Sequence, residues 1–265
     1  MCGVCGCGEP NHHHHDHHHD GHSHHHHHDH HHDHDPAPAS AETARRVQVE
    51  RDILERNDQA AARNRAAFQA RGVLALNLVS SPGAGKTTLL TRTLRDLGGD
   101  GPAGVIVGDQ ASELDAARLR ETGVPARQVT TGRACHLDAE QVADALPALD
   151  LPDGATLFIE NVGNLVCPAG FDLGERAKVL LVSTAEGADK AEKYPHMFAA
   201  ADLLLVTKID LLPHLDCDVD GLIGAARRIN PDLDVLQVSA TRGDGLDDWY
   251  AWLRRGRVAL AAAAA

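Results

Sequence analysis

The chain has 265 residues, of which 43% are hydrophobic and only 3% aromatic, so its core must be built mainly from Val, Leu, Ile and Ala. A formal net charge of −13 argues against nucleic-acid binding, because phosphate contacts need a positive surface, and no apolar run approaches the roughly 18 residues of a transmembrane helix. The N-terminus has neither the basic nor the apolar segment of a secretory signal. We therefore expect a cytoplasmic protein without a membrane partner, whose six cysteines are metal ligands or reduced thiols.

The N-terminal residues are rich in metal-binding side chains. Seventeen of the 20 histidines lie between His12 and His34, with aspartates among them, and this irregular pattern argues against an affinity tag. With few apolar side chains to bury, residues 1–39 are predicted to form a disordered tail. Neutral imidazoles at this density bind several divalent ions at once. Three soft ligands that suit nickel(II), zinc or copper(I) precede them at Cys2, Cys5 and Cys7.

Residues 40–71 are predicted to form an N-terminal helix. Val47, Leu54, Ala61 and Phe68 follow one another at intervals of seven residues, which predicts a helix with one narrow apolar face. Gly72 is typical of a helix end. We expect this helix to connect the tail to the main domain.

Residues 72–256 are predicted to be an α/β domain. Short apolar runs alternate with helical stretches, and near-continuous apolar strands of this kind indicate a mostly parallel central sheet flanked by helices. Residues 257–265 are a low-complexity C-terminal tail. The predicted strands are Val73–Val79, Val105–Val107, Leu157–Ile159, Val179–Val182, Leu203–Val206 and Val235–Val238.

A phosphate-binding loop follows the first predicted strand. Residues 80–88 read Ser-Ser-Pro-Gly-Ala-Gly-Lys-Thr-Thr and lead into an amphipathic run, which is the strand, loop and helix of a P-loop NTPase. The glycines let backbone N–H groups approach the phosphates, Lys86 would reach the β- and γ-phosphates, and Thr87 would hold Mg2+. Ser80 departs from the usual pattern, since a glycine is expected there. The predicted phosphate-binding residues are Gly83, Ala84, Gly85, Lys86, Thr87 and Thr88.

Two later loops favour guanine as the base. Thr207-Lys208-Ile209-Asp210 ends a strand where guanine-specific GTPases carry Asn-Lys-x-Asp, so only the Asn is replaced. Ser239-Ala240 follows the last predicted strand, as a guanine-contacting loop would. Two such loops at strand ends favour GTP over ATP, because a hydrogen-bonding pocket rejects the wrong base. The predicted base-binding residues are Thr207, Lys208, Asp210, Ser239 and Ala240.

Two acids occupy the places of γ-phosphate sensors. Asp109 follows the second predicted strand, and Glu160 ends the third and begins Glu-Asn-Val-Gly, which matches the role of an Asp-x-x-Gly switch. Either carboxylate alone could be a helix cap. Beside a phosphate loop, we predict that both act with Lys86 in catalysis.

A second set of metal ligands lies within the domain. Cys135 and His136 are adjacent, and Cys167 follows Glu160 by seven residues. A buried cysteine is often an inert apolar residue. The adjacent Cys-His pair, together with a cysteine just after the switch, favours a metal site. Cys217 has no such neighbours.

These motifs together resemble the HypB proteins, the SIMIBI-class P-loop GTPases of nickel insertion into [NiFe]-hydrogenase. The resemblance is carried by Cys2-x-x-Cys5-x-Cys7, the His-rich tract, the phosphate loop, Cys135-His136 and the segment 160–168, Glu-Asn-Val-Gly-Asn-Leu-Val-Cys-Pro. It implies a GTPase that forms a GTP-dependent homodimer, binds Ni2+ and acts with a HypA-type zinc protein on the hydrogenase large-subunit precursor. It also implies a tight nickel site at Cys2, Cys5 and Cys7, and a weaker Ni2+ or Zn2+ site at the dimer interface formed by Cys135, His136 and Cys167.

Other functions fit less well. A urease-type nickel GTPase would carry Cys-Pro-x-His, whereas Cys167-Pro168 is followed by Ala169-Gly170. A nickel buffer with a relic domain would not be expected to keep Lys86, Glu160 and Asp210. A small-molecule kinase would need an Arg-rich lid, and none is evident. A storage role for the His tract remains an addition to the main function.

Overall fold

The computed structural model describes residues 41–264. The predicted tail, including Cys2, Cys5, Cys7 and the His tract, lies outside the described residues. Within residues 41–264, no helix combines the length and the apolar character needed to cross a membrane.

A seven-stranded sheet in the order β3-β2-β4-β1-β5-β6-β7 organises the described chain. Every neighbouring pair of strands is parallel. The central strands are apolar and buried, as expected for a sheet that is covered on both faces, and the predicted P-loop α/β class is confirmed. The strands are β1 (Leu74–Ser80), β2 (Ala103–Asp109), β3 (Ala126–Thr130), β4 (Thr156–Glu160), β5 (Ala177–Ser183), β6 (Leu203–Thr207) and β7 (Asp234–Val238).

Helices cover both faces of the sheet. One apolar cluster joins Leu76 and Leu78 of β1 to helices α2, α3 and α8, while alternate residues of the strands face α1, α4, α6 and α7. Strand residues alternate between faces, so the two layers share the same strands. The helices are α1 (Ala41–Ala70), α2 (Lys86–Asp96), α3 (Leu114–Arg120), α4 (Ala139–Ala145), α5 (Lys190–Lys193), α6 (Pro195–Ala200), α7 (Val219–Ile229) and α8 (Leu246–Ala264).

Helix α1 buries the predicted stripe only in its second half. Ala61 and Phe68 are buried as expected, but Val47 is 50% exposed. Thirty residues make a helix of about 45 Å, roughly twice the length of a seven-residue strand, and the side chains of residues 45–53 are nearly all exposed. The buried face includes two amides, Asn57 and Asn64, which hydrogen-bond to the backbone at the start of α4 and in the segment before β5.

Two further elements differ from the sequence prediction. Strand β3 was not predicted, because only Val129 in Ala-Arg-Gln-Val-Thr is a β-branched apolar residue. Helix α8 continues through residues 257–264, which the sequence division places in a separate tail. Alanine has the highest helix propensity, and Arg254 and Arg257 contact Asp100 near the end of α2, so this stretch extends the helix.

The parallel arrangement brings the carboxyl ends of all strands to one edge. Ser80, Asp109, Glu160 and Thr207 are the last residues of β1, β2, β4 and β6. Ligands of open α/β sheets bind at this edge. The predicted nucleotide residues therefore converge although they are spread over more than a hundred positions of the chain.

Candidate functional site

The loop between β1 and α2 has the geometry of a phosphate cradle. Gly83 and Gly85 adopt positive φ values of 78° and 104°, which side-chain-bearing residues rarely adopt. Helix α2 begins at Lys86, and the first N–H groups of a helix have no partner within it and favour an anion. Lys86 Nζ donates to Ser80 Oγ at 2.7 Å. Ser80, which replaces the expected glycine, therefore holds the lysine within the loop. Burial lowers the pKa of Lys86, against the attraction of Glu160.

Glu160 lies beside this loop. The Thr87 hydroxyl donates to Glu160 Oε1 at 2.6 Å, while the buried Oε2 has no hydrogen-bond partner among the described residues. Burial raises the pKa of Glu160 to about 7, against the effects of Lys86 and the Thr87 hydroxyl. An unpartnered carboxylate oxygen beside a hydroxyl suits a hard cation such as magnesium, so the donor set fits the predicted ion.

A cavity of about 520 Å³ connects these groups and is lined by the phosphate loop, Asp109, Glu160 and Gly163. Asp109 Oδ1 accepts from Ala111 N at 3.1 Å, so this carboxylate also caps its own loop. Asp115 and Arg118 of α3 line the same cavity. Neither was predicted, because both belong to an ordinary-looking charged helix that carries no motif.

The predicted base-binding loops lie next to this cavity. Lys208 has the left-handed φ of 58°, and its Nζ donates to Gly83 O at 2.7 Å. Thr207 Oγ1 donates to Ala84 O at 2.7 Å. The threonine that replaces the expected Asn therefore ties the base loop to the phosphate loop.

Asp210, in the predicted base-binding loop after β6, is partly exposed. Thr241 Oγ1 lies 3.4 Å from its Oδ2, and hydrogen bonding, chiefly from Ser239, lowers the pKa of Asp210. A second cavity, of about 280 Å³, is lined by Asp210, Ala240 and Thr241 and shares Gly85, Thr88 and Lys208 with the first. The two cavities thus form a continuous site with a charged end and a more apolar end, as a nucleotide requires.

Cys135, His136 and Cys167 form a cluster whose ligand atoms all lie within 4.8 Å of one another. The two Sγ atoms are 2.7 Å apart, and Cys135 Sγ lies 3.8 Å from His136 Nδ1. Cys135 and His136 are in the loop between β3 and α4, whereas Cys167 begins a short 3-10 helix after β4. This is the one group of three or more potential ligands found within residues 41–264, and Cys217 is outside it.

The surroundings of the cluster favour ligand chemistry. His136 and Cys167 are 8% and 3% exposed, and the Phe171 ring lies 3.9 Å from the His136 ring. Burial lowers the pKa of His136, which favours the neutral imidazole that binds metals. Two sulfurs and one imidazole fit nickel or zinc better than magnesium or calcium.

Lys190 is a further cation that the sequence did not reveal. Its Nζ donates to Ser81 Oγ at 3.2 Å and lies 3.2 Å from Glu186 Oε2. It belongs to α5, a helix of four residues without a recognisable motif. Its position against the phosphate loop became evident only from the fold.

Comparison with known proteins places the chain in a family. Residues 74–237 match the family model described as CobW/HypB/UreG, nucleotide-binding domain. The hydrogenase maturation factor HypB of Azotobacter chroococcum mcd 1 is 59% identical over 214 residues, covering 81% of this chain and 70% of the relative. HypB of Escherichia coli K12 is 58% identical over 215 residues, covering 81% of this chain and 74% of the relative.

Two solved structures that are similar to this chain are also HypB proteins. HypB from Archaeoglobus fulgidus matches with a TM-score of 0.72 and 37% identity, over 77% of this chain and 99% of that one. HypB from Helicobacter pylori, solved in complex with nickel, matches with the same TM-score and identity over 76% of this chain and 95% of that one. The nucleotide-binding fold and the sequence identity together lead to one assignment: the chain belongs to the HypB family of hydrogenase maturation factors.

Proposed function

We propose that this chain is a GTP-hydrolysing nickel metallochaperone that delivers nickel during [NiFe]-hydrogenase maturation in the cytoplasm. The observation that carries the proposal is the closeness of two kinds of site along the chain. Glu160 lines the nucleotide cavity, and Cys167 of the metal cluster follows it on the same outgoing segment. A protein that only stored nickel would have no use for this arrangement.

Guanine selectivity is assigned to the loop after β6 and the loop after β7. Asp210 would accept hydrogen bonds from N1 and the exocyclic amine of guanine, and its lowered pKa keeps it ionised for that purpose. Thr207 and Lys208 tie this loop to the phosphate loop. The base and the phosphates would therefore be held in fixed relation, as specific binding requires.

Hydrolysis is assigned to Lys86, Asp109 and Glu160. Lys86 would stabilise charge on the β- and γ-phosphate oxygens. Thr87 and Glu160 would hold Mg2+, which when bound neutralises charge on the phosphates. Asp109 and Glu160 would orient the attacking water from the edge of the cavity. Slow intrinsic turnover is expected, since no motif for an arginine finger is evident.

Nickel is assigned to the metal cluster as cargo. Cys135, His136 and Cys167 offer two thiolates and one imidazole, a set that binds Ni2+ and also Zn2+. The nickel complex of the H. pylori relative supports nickel as the cargo. Cys2, Cys5 and Cys7 are proposed as a tighter nickel site, and the His tract as a store of further ions.

The proposed partners follow from the family. We assign a GTP-dependent homodimer, a HypA-type zinc protein and the hydrogenase large-subunit precursor. Dimerisation would bring the metal clusters of two protomers to a shared interface. Gel filtration of the full chain with GDP and with a nonhydrolysable GTP analogue tests the dimer, and a size unchanged by nucleotide would exclude it.

One experiment tests the main proposal. The full chain is loaded with nickel and mixed with nickel-free hydrogenase precursor, with GTP, ATP or no nucleotide, and nickel in the precursor and released phosphate are both measured. We expect GTP to be hydrolysed in preference to ATP and to promote nickel transfer. Cys167→Ala should reduce transfer, whereas Cys217→Ala, a cysteine outside the cluster, should not. Equal turnover of ATP, or transfer indifferent to nucleotide, would contradict the proposal.

A further inference from the structure

Strand β1 contains one amide in an otherwise mostly apolar sequence. Asn77 stands in Leu-Ala-Leu-Asn-Leu-Val-Ser and is completely buried. A buried amide costs free energy unless hydrogen bonds replace its contacts with water. Asn77 Nδ2 donates to Glu175 Oε1 at 3.0 Å, and its Oδ1 accepts from Asn161 Nδ2 at 3.2 Å. Asn77 therefore links a residue that follows β4 to one that precedes β5, the two strands on either side of β1.

One end of this link reaches the first two metal ligands. Asn161 is adjacent to Glu160, and its Oδ1 accepts from Leu137 N at 3.0 Å and from Val162 N at 2.9 Å. Leu137 directly follows His136. The buried side chain of Asn161, which is 2% exposed, thus joins the segment at the nucleotide cavity to the loop that carries Cys135 and His136.

The other end reaches the third ligand. Glu175 Oε1 lies 3.9 Å from Lys178 Nζ, which donates to Pro168 O at 3.0 Å and to Phe171 O at 3.3 Å. Pro168 directly follows Cys167, and Phe171 is the residue whose ring lies against His136. The same buried chain of contacts therefore ends at both loops of the metal cluster.

We infer that Asn161, Asn77, Glu175 and Lys178, hereafter the buried relay, are positioning residues that make the arrangement of the metal ligands depend on the nucleotide state sensed at Glu160. This inference rests on the proposed function and names the regulation of its metal site. The Thr87–Glu160 hydrogen bond must rearrange when both groups turn to a magnesium nucleotide. Any movement of Glu160 is passed to Asn161, its neighbour in the chain. Buried, mutually satisfied hydrogen bonds transmit such a shift because they have few alternative partners.

The test measures how strongly the nucleotide state changes nickel affinity. The full chain is used with Cys2→Ser, Cys5→Ser and Cys7→Ser, so that thiolate-to-nickel charge-transfer absorption does not arise from the tail, and imidazoles of the His tract give no such band. Cys217 lies outside the cluster, and Cys217→Ser in the same background removes its thiol from the titration. Nickel is titrated in a chelator buffer with GDP or with a nonhydrolysable GTP analogue. Coupled sites commonly show an affinity ratio between states of roughly 5- to 150-fold, and we expect such a ratio here.

Asn77→Ala is the main variant, because Asn77 lines neither the nucleotide cavity nor the metal cluster. It should bring the affinity ratio close to one while nucleotide binding and the nickel affinity of the GDP state persist. Asn77→Leu, which keeps the side-chain size but can neither donate to Glu175 nor accept from Asn161, should do the same and decides the matter if Asn77→Ala does not fold. Asn230→Ala is the matched control, since Asn230 also donates to two backbone carbonyls, those of Phe198 and Ala201, but neither belongs to a relay residue or to a metal-binding loop. It should keep the parent ratio.

Each outcome bears on a different statement. A ratio retained in a folded relay variant would overturn the relay. A parent ratio of one would also overturn it, while nickel and GTP binding would still stand for the proposed function. A parent that binds no nickel at Cys135 and Cys167, or no GTP, would overturn the proposed function and the relay with it. A ratio lost equally in Asn230→Ala would mean that any weakened packing removes it, and would overturn the specific role of the relay.

Discussion

Glu160→Gln should make the stability of the nucleotide-free chain less dependent on pH. Burial raises the pKa of Glu160 from 4.5 to about 7, so the fold favours the protonated carboxyl. A group with a raised pKa stabilises the folded state fully below its unfolded pKa, and this contribution is lost as the pH rises through the folded value. The sensitive window for Glu160 therefore lies between about pH 4.5 and pH 7.

The magnitude follows from the size of the shift. One pKa unit corresponds to ~1.4 kcal/mol, so a rise from 4.5 to about 7 amounts to about 3 kcal/mol of folding free energy lost on ionisation. Solvent screening reduces this little, because Glu160 is 4% exposed. Glutamine keeps the side-chain size and can accept the Thr87 hydrogen bond, but it has no charge to bury. It therefore removes the titration with little change in packing.

Urea unfolding of the metal-free chain near pH 5 and near pH 8 measures the effect. Relative to the parent, Glu160→Gln should gain most of the ~3 kcal/mol between these conditions, while contributions from other titrating groups cancel in the comparison. Glu140→Gln is the control, since the Glu140 side chain is 72% exposed, and its stability should follow that of the parent. A difference between Glu160→Gln and the parent that is the same at both pH values would refute the raised pKa.

Three further changes test separate parts of the site. Lys86→Ala should abolish GTP binding, as measured by calorimetry, but leave nickel uptake by the tail intact. The control is Lys193→Ala, which changes an exposed lysine and should bind GTP normally. GTP binding retained in Lys86→Ala would contradict the assignment of Lys86 to the phosphates. Asp210→Asn should shift turnover from guanine toward xanthine nucleotides, and unaltered GTP selectivity would remove Asp210 from its role. Deletion of His12–His34 should lower the number of nickel ions bound per chain without changing GTP turnover. In the parent, nickel binding by this tract should fall steeply below about pH 6.5, because imidazole must be neutral to bind a metal. An unchanged number of bound nickel ions after the deletion would exclude a storage role for the tract.

The strands show which parts of the fold were readable from sequence. Six were predicted because buried parallel strands must be nearly continuous runs of apolar residues, and Leu203–Leu204–Leu205–Val206 is a typical example. Strand β3 is at the edge of the sheet, with Arg127 and Thr130 exposed. An edge strand needs only part of the apolar pattern, so Val129 alone gave too little signal.

Helix α1 shows the limit of periodicity. The seven-residue interval of apolar residues predicted a helix, and a helix is present, but periodicity says nothing of what lies opposite each turn. Asn57 and Asn64 are buried because backbone groups of Asp172, Leu173 and Ala139 meet them. Tertiary structure alone supplies these hydrogen-bond partners, and no local sequence pattern predicts them.

The parts of the site that consist of short contiguous motifs could be predicted from the sequence. The phosphate loop and the base loop are contiguous, so their spacing carries their meaning. The metal cluster joins residues 32 positions apart. The adjacent Cys-His pair and the cysteine just after the switch favoured a metal site, and the family resemblance implied that the three residues form one. Asp115, Arg118 and Lys190 belong to no motif and were missed, since only the fold brings them to the nucleotide cavity or to its phosphate loop.

The two sites share one edge because the sheet is parallel. Each outgoing loop of a parallel sheet starts from the same edge, so the segment after Glu160 and the loop after β3 emerge at the edge that carries the phosphate loop. On their outer side these segments are held by α1, whose Asn64 Nδ2 donates to Ala139 O at 2.8 Å and to Leu173 O at 3.0 Å. On their inner side they are held by Asn161 and Lys178. The segments that carry the metal ligands are thus held by two sets of hydrogen bonds, and the second set includes Asn161, which lines the nucleotide cavity.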